Sequence, residues 1–314
     1  MEKLANTDLE VFPLCLGGNV FGWTAGREDS FTVLDSYASV GGNFIDTADV
    51  YMQRIPGNRG GESETMIGEW LASRGGRDRM VLATKVGNLK GREGLSAANI
   101  KRAADDSLRR LRTDYIDLYY AHSDDPDTPL EETLGAFDEL VREGKVRHIA
   151  ASNYTASRLS EALAISGREG LARYAALQPH YNLLERGYEG ELSSLVFSEG
   201  LAALPYYGLA KGFLTGKYRP GREDIESQRA GRARAYLDSR GKAVLEALDE
   251  ISAARGTTVA AVSLAWLAAR HTVAAPIASA RNTEQLSRIL PFAELKLSDE
   301  EMRSLDAASD ATSA

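Results

Sequence analysis

The sequence predicts an α/β protein folded as a single (β/α)8 barrel. Three observations lead there: eight short apolar runs recur along the whole chain, amphipathic segments separate most of them, and no Gly-x-Gly-x-x-Gly follows the first run. Runs that are apolar on both faces suit parallel strands covered by helices. Eight strand-helix units match a closed barrel, and the missing glycine fingerprint disfavours a doubly wound dinucleotide-binding sheet.

In chain order the strands are expected at 11–16 (VFPLCL), 43–48 (NFIDTA), 80–86 (MVLATKV), 116–122 (IDLYYAH), 146–152 (VRHIAAS), 175–181 (AALQPHY), 201–207 (LAALPYY) and 274–278 (AAPIA). Ahead of them, LANTDLEV with its polar Asn-Thr-Asp centre predicts an N-terminal β-hairpin that plugs the barrel bottom. Between the strands, residues 96–111 place Ile100, Ala103, Ala104, Ser107, Leu108 and Leu111 at helical spacing, with Lys101, Arg102, Asp105, Arg109 and Arg110 on the other side. Similar patterns occur at 30–40, 64–73, 129–142, 155–166 and 242–255, several introduced by Ser, Thr or Asp as N-caps. No linker rich in Pro, Gly or Ser divides the chain, so residues 1–314 are expected to form one domain.

Composition narrows the functional classes. With 43% apolar and 26% charged residues the chain can bury a large core and solvate its surface. A formal net charge of -8 argues against general affinity for nucleic acid or anionic membranes. The N-terminus MEKLANTDLE has no signal-peptide pattern and no run approaches a membrane span. Cys15, the single cysteine, sits in an apolar run and reads as core packing in a reducing, cytoplasmic setting.

In such a barrel, chemistry sits at the C-terminal ends of the strands. Four polar residues occupy that position: Asp46 and Tyr51 after the second strand, Lys85 at the end of the third and His122 at the end of the fourth. Taken singly, each has an ordinary structural reading as a turn cap, a half-buried aromatic, a snorkelling lysine or a core histidine. Taken together they suggest chemistry. A lysine in an apolar strand needs an anionic partner, which Asp46 on the neighbouring strand supplies. The lysine charge favours the phenolate of Tyr51 and so eases proton donation, while His122 polarises a carbonyl.

At these residues the sequence resembles the aldo-keto reductases, (β/α)8 enzymes that use NADPH. The likeness rests on GGNFIDTADVY, GESETMIGEWL (61–71), ATKVG (83–87), SLRRLRTDYIDLYYAH (107–122), GKVRHIAASN (144–153), LQPHYN (177–182), GFLTGKY (212–218) and IASARNTEQL (277–286), an ordered set covering nearly the whole chain. The resemblance makes Asp46, Tyr51, Lys85 and His122 the catalytic tetrad and leaves Asp49 as a turn or cap residue. It implies that Ser152, Asn153 and Gln178 hold the nicotinamide carboxamide with Asp46 nearby, and that Tyr206 or Tyr207 stacks on the ring. It further assigns Leu209, Lys217, Ser279, Arg281 and Gln285 to the cofactor, with Arg281 on the 2'-phosphate. In this chain Arg288-Ile289 stands where the family usually has Glu-Asn, and Tyr207-Gly208 where it often has Ser-Pro.

A basic excursion over 208–241, carrying Lys211, Lys217, Arg219, Arg222, Arg229, Arg232, Arg234 and Arg240, is long enough to fold over a pyrophosphate. Asn19, Phe21, Trp23, Met52 and the loop 53–60 are expected to line the substrate pocket with Tyr51 and His122. The expected activity is NADPH-dependent reduction of a small-molecule aldehyde or ketone, with no metal and no protein partner implied. Two other readings use the same residues: a Schiff-base aldolase built on Lys85, and a non-catalytic NADPH-binding regulatory subunit, a use this family's fold has in potassium-channel β subunits.

Overall fold

The computed structural model describes residues 1–221, 228 and 230–310. Its central sheet has eight strands: β1 (Cys15–Gly17), β2 (Phe44–Asp46), β3 (Val81–Val86), β4 (Ile116–Ala121), β5 (Val146–Ser152), β6 (Tyr174–Gln178), β7 (Ala202–Ala203) and β8 (Ile277–Ala278). They pair in parallel and in sequence order, β8 lying against β1. The remaining gap, between β7 and β8, is bridged by a parallel contact of Ala203 with Val273. There the Ala203 N–H donates to the Thr272 carbonyl at 2.8 Å and the Ile277 N–H to that of Pro205 at 2.9 Å. The sheet therefore closes on itself as a (β/α)8 barrel, as the sequence predicts.

The helices alternate with the strands. α1 (Arg27–Ser39), α2 (Glu62–Arg74), α3 (Ala97–Leu111), α4 (Leu130–Arg142), α5 (Ala156–Glu169) and α6 (Glu191–Ser198) each follow one strand. After β7 come the short α7 (Ala230–Arg234), then α8 (Ser239–Arg255) and α9 (Val259–Ala268), and after β8 come α10 (Thr283–Ile289) and α11 (Asp299–Asp310). Local chemistry sets the boundaries: Ser96 accepts the Asn99 N–H at the start of α3, Thr155 accepts the Arg158 N–H at the start of α5, and Gly170 ends α5 with a φ of 66°.

Strand alternation divides the apolar residues into two cores. Cys15, Phe44, Val81, Ala83, Leu118, Tyr120, Ala150, Ala176, Ala202 and Ile277 point into the barrel and pack with Leu4, Leu9 and Val11 of the N-terminal hairpin. Their neighbours in the strands, among them Leu16, Ile45, Leu82, Tyr119, Ile149 and Leu177, pack outward against the helices. The hairpin pairs Glu2 with Val11 and Lys3 with Glu10. Asp8 at its tip holds His148 at 2.6 Å and Arg147 at 2.7 Å, tying the plug to β5.

Several boundaries differ from expectation. The run 11–16 splits, because Pro13 has no N–H to give a ladder; Val11 stays with the hairpin and the barrel strand begins at Cys15. The excursion 208–241 is not open loop, since residues 210–215 form a 3-10 segment and α7 and the start of α8 lie within it. Its basic residues divide: Arg219 pairs with Asp249 and Arg240 donates to the Leu184 carbonyl, whereas Arg222 and Arg229 lie outside the described residues. No single helix among the described residues is long and apolar enough to cross a membrane.

Candidate active site

The same alternation that fills the barrel delivers polar side chains to its top. Phe44, Ala83, Tyr120, Ala150 and Ala176 all point inward. Two residues further along each strand or its exit stand Asp46, Lys85, His122, Ser152 and Gln178. Apolar packing below thus fixes a ring of polar groups above.

Lys85 is the centre of that ring. Its ammonium lies 2.6 and 2.7 Å from the two Asp46 oxygens, 2.7 Å from the Thr47 carbonyl and 3.1 Å from the Tyr51 hydroxyl. An ammonium has three N–H donors, so these four acceptors share them. Asp46 is equally committed: it also accepts from Gln178 Nε2 at 2.9 Å and from the Tyr51 hydroxyl at 3.3 Å. One carboxylate therefore joins the ends of β2, β3 and β6 and the turn that carries Tyr51. The His122 ring stands edge-on to Tyr51, centroids 6.2 Å apart.

The electrostatics correct one expectation. Lys85 was expected to favour the Tyr51 phenolate, yet Tyr51 is held well above the usual tyrosine range, first by burial and then by the charge and hydrogen bond of Asp46. Asp46 neutralises the lysine that was to act on the phenol. Tyr51 is accordingly protonated at neutral pH. Burial lowers His122 to about 3, with the Lys85 charge acting in the same direction, so its imidazole is neutral.

Asp49 lies in the turn after β2, as expected, but it is more than a surface turn residue. It is 1% exposed, its Oδ1 has no hydrogen-bond partner, and burial followed by the charge of Glu64 raises it to about 7. It sits in a buried polar layer where Glu64 accepts from Arg110 and Thr84, each at 2.6 Å.

A cavity of about 660 Å³ opens over this ring. Asp46, Tyr51, His122, Ser152, Asn153, Gln178, Tyr206, Tyr207, Leu209, Lys217, Ser279, Arg281 and Gln285 line it, as do Asn19 and Trp23. Lys85 lies beneath, fully buried. Of the residues expected at the pocket, Phe21, Met52 and all of the loop 53–60 except Arg54 are absent from its wall. Phe21 is turned into the outer core at 0% exposure, and Met52, in a left-handed turn with φ of 73°, points elsewhere. Conversely, Asn88 and Thr258 belong to the wall although the sequence did not single them out; Thr258 caps the start of α9.

The amide and hydroxyl groups at the wall are cross-linked. Asn153, in a left-handed conformation with φ of 57°, donates to the His122 carbonyl at 2.9 Å and to Ser152 Oγ at 3.1 Å, and accepts from the Tyr206 hydroxyl at 2.8 Å. Tyr206 stacks on His180 with an interplanar angle of 10°, whereas Tyr207 meets both rings edge-on. On the far wall Ser279 donates to Asn19 at 2.8 Å, and Gln285 accepts the Arg281 N–H at 3.1 Å. Neither Lys217 nor Arg281 has a carboxylate partner among the described residues, while Arg288 pairs with Glu284 at 2.8 Å.

Comparison with known proteins agrees with this architecture. The model of the Aldo/keto reductase family matches residues 13–310. Norsolorinic acid reductase B of Aspergillus parasiticus is 31% identical over 317 residues, covering 96% of this chain and 81% of that protein. Norsolorinic acid reductase stcV of Emericella nidulans is 33% identical over 315 residues, covering 95% and 78%. Protein tas of Escherichia coli is 31% identical over 333 residues, covering 98% and 96%. With the barrel, the match from end to end and these relatives in agreement, the chain belongs to the aldo/keto reductase family of oxidoreductases.

Proposed function

We propose that this protein reduces the carbonyl group of a small aldehyde or ketone with NADPH, and that Tyr51 gives the proton. One observation carries the reading: a protonated Tyr51, within hydrogen-bond reach of a buried Lys85–Asp46 pair, faces a cavity shared with a neutral His122. The norsolorinic acid reductases among the relatives support the reaction class.

The residues present fit the cofactor. The cavity volume lies within the range of small-molecule and cofactor sites. Lys217 and Arg281 are cations without carboxylate partners on its wall and suit phosphate oxygens, Arg281 the 2'-phosphate. Ser279 and Gln285 flank Arg281, Leu209 supplies an apolar surface, and Tyr206 or Tyr207 supplies an aromatic one. Ser152, Asn153 and Gln178 offer amide and hydroxyl groups of the kind a carboxamide needs. When bound, the cofactor supplies a hydride.

The chain's own work is electrostatic. Tyr51 and His122 both border the cavity, so a carbonyl oxygen can accept a hydrogen bond from each. As negative charge develops on that oxygen, Tyr51 releases its proton, and the resulting phenolate is stabilised by Lys85 at 3.1 Å. Asp46 holds the Lys85 ammonium in place. The reading is tested by following NADPH consumption with a panel of aldehydes and ketones in wild type and Tyr51→Phe. Turnover that survives unchanged in the variant removes Tyr51 from the mechanism, and an absence of turnover with every carbonyl removes the reaction.

A further inference from the structure

We propose that the cavity contains an oxyanion subsite centred on Arg54, so that its carbonyl substrates carry a carboxylate or a phosphate; this rests on reading the cavity as a carbonyl-reducing site. Among the described lining residues the cations are Arg54, Lys211, Lys217, Arg281 and Arg288, and Asp46 is the one acid. That acid is already neutralised by Lys85, and of the cations only Arg288 has a carboxylate partner among the described residues, Glu284. In a chain of net charge -8, such an excess of positive charge at a cavity wall selects for anions.

Arg54 is set apart from the other cations by its position. Lys211, Lys217, Arg281 and Arg288 follow β7 and β8, on the wall assigned above to the dinucleotide. Arg54 lies three residues beyond Tyr51, on the loop after β2. It is exposed and makes no ion pair among the described residues.

The loop holds Arg54 in place. Gln53 Nε2 donates to the Lys90 carbonyl at 3.2 Å, and the Lys90 N–H donates to Gln53 Oε1 at 2.9 Å. At the other end the N–H groups of Arg59 and Gly60 donate to the Glu62 carboxylate at 2.7 and 3.0 Å. A guanidinium leaving a chain anchored in this way is a fork for two oxygens of a carboxylate or phosphate. The anchoring lowers the ordering cost that binding would otherwise incur.

The experiment uses the purified full chain with saturating NADPH and two matched pairs: para-carboxybenzaldehyde against para-methylbenzaldehyde, and glyceraldehyde phosphate against glyceraldehyde. In wild type the charged member of at least one pair has the higher kcat/KM, and which pair responds tells carboxylate from phosphate. In Arg54→Ala the charged-to-neutral ratio drops on the order of tenfold, the change appearing in KM. Arg54→Lys retains part of the preference and Arg54→Glu reverses it. A wild type indifferent to charge, or a ratio that stays put in Arg54→Ala and Arg54→Glu, overturns the subsite and leaves the reductase reading standing. Absence of turnover with all four compounds in wild type overturns both.

Discussion

Lys85 grips both oxygens of Asp46, at 2.6 and 2.7 Å, with neither side chain more than 2% exposed. Removing the lysine alone leaves a buried carboxylate without its counter-charge, which costs roughly 3 to 5 kcal/mol. Lys85→Met is therefore expected to lose both activity and stability, and the double change Asp46→Asn, Lys85→Met to regain stability but not activity. Urea denaturation midpoints of the three proteins check this; a double variant no more stable than Lys85→Met contradicts the partnership.

Tyr51→Phe removes a hydroxyl that bonds only within the site, to Asp46 and Lys85. General acid catalysis contributes about 10² to 10⁴ in rate. Turnover should fall by at least the lower figure, while NADPH affinity, followed by fluorescence titration, stays within a few-fold.

Because Tyr51 sits above the usual tyrosine range and His122 near 3, neither changes charge between pH 5 and 9, and the rate should show no inflection from either group there. Asp49 titrates inside that window. Its folded pKa, about 7, lies above the ordinary 3.8, so the folded state binds the extra proton and stability falls as pH rises from about 4 to 7. Three units correspond to an upper bound of about 4 kcal/mol. Asp49→Asn should flatten that decline, giving a protein that melts higher than wild type at pH 8 and no higher at pH 4; thermal melts at the two pH values decide it.

Arg281→Ala should separate the two nicotinamide cofactors. A charge-assisted hydrogen bond is worth roughly 1.5 to 3 kcal/mol, so NADPH affinity should weaken about tenfold to a hundredfold, while NADH affinity hardly moves. Arg288 is a weaker substitute than its position two turns along suggests, since Glu284 holds it. Calorimetric titration of both cofactors at matched salt reads the difference. Equal small losses for both would mean that Arg281 does not read the 2'-phosphate.

Much of this was legible in the sequence because it depends on apolar runs and helical period. Eight short runs apolar on both faces gave the strands, and the position of Asp46, Lys85 and His122 at or just past the ends of three of them predicted that they would meet at one end of the barrel. What failed did so where period stops. Phe21 and Met52 lie in turns, where sequence spacing no longer says which way a side chain faces. Asp49 does lie in a turn, but its raised pKa comes from burial and from Glu64, a distant residue that local sequence does not bring near it. The helix α9, VAAVSLAWLA, went unrecognised because it is buried on every side and carries no polar face to reveal a helical repeat. The raised Tyr51 followed from the same pairing that was foreseen: once Asp46 cancels Lys85, burial decides the phenol.

The closure between β7 and β8 has a consequence for how the barrel breathes. β4 and β5 pair from Ile116 with Val146 through to Ala121 with Ala151, whereas the closing seam rests on the few bonds made by Ala203, Ala274 and Ile277. Local opening begins where backbone pairing is sparse. The amide hydrogens of Ala203 and Ala274 should therefore exchange with deuterated solvent well before those of Leu118 and Ile149. The loops leaving that seam carry Tyr206, Tyr207, Ser279 and Arg281, so a ligand spanning them would act as a clasp across the barrel's loosest joint and slow that exchange.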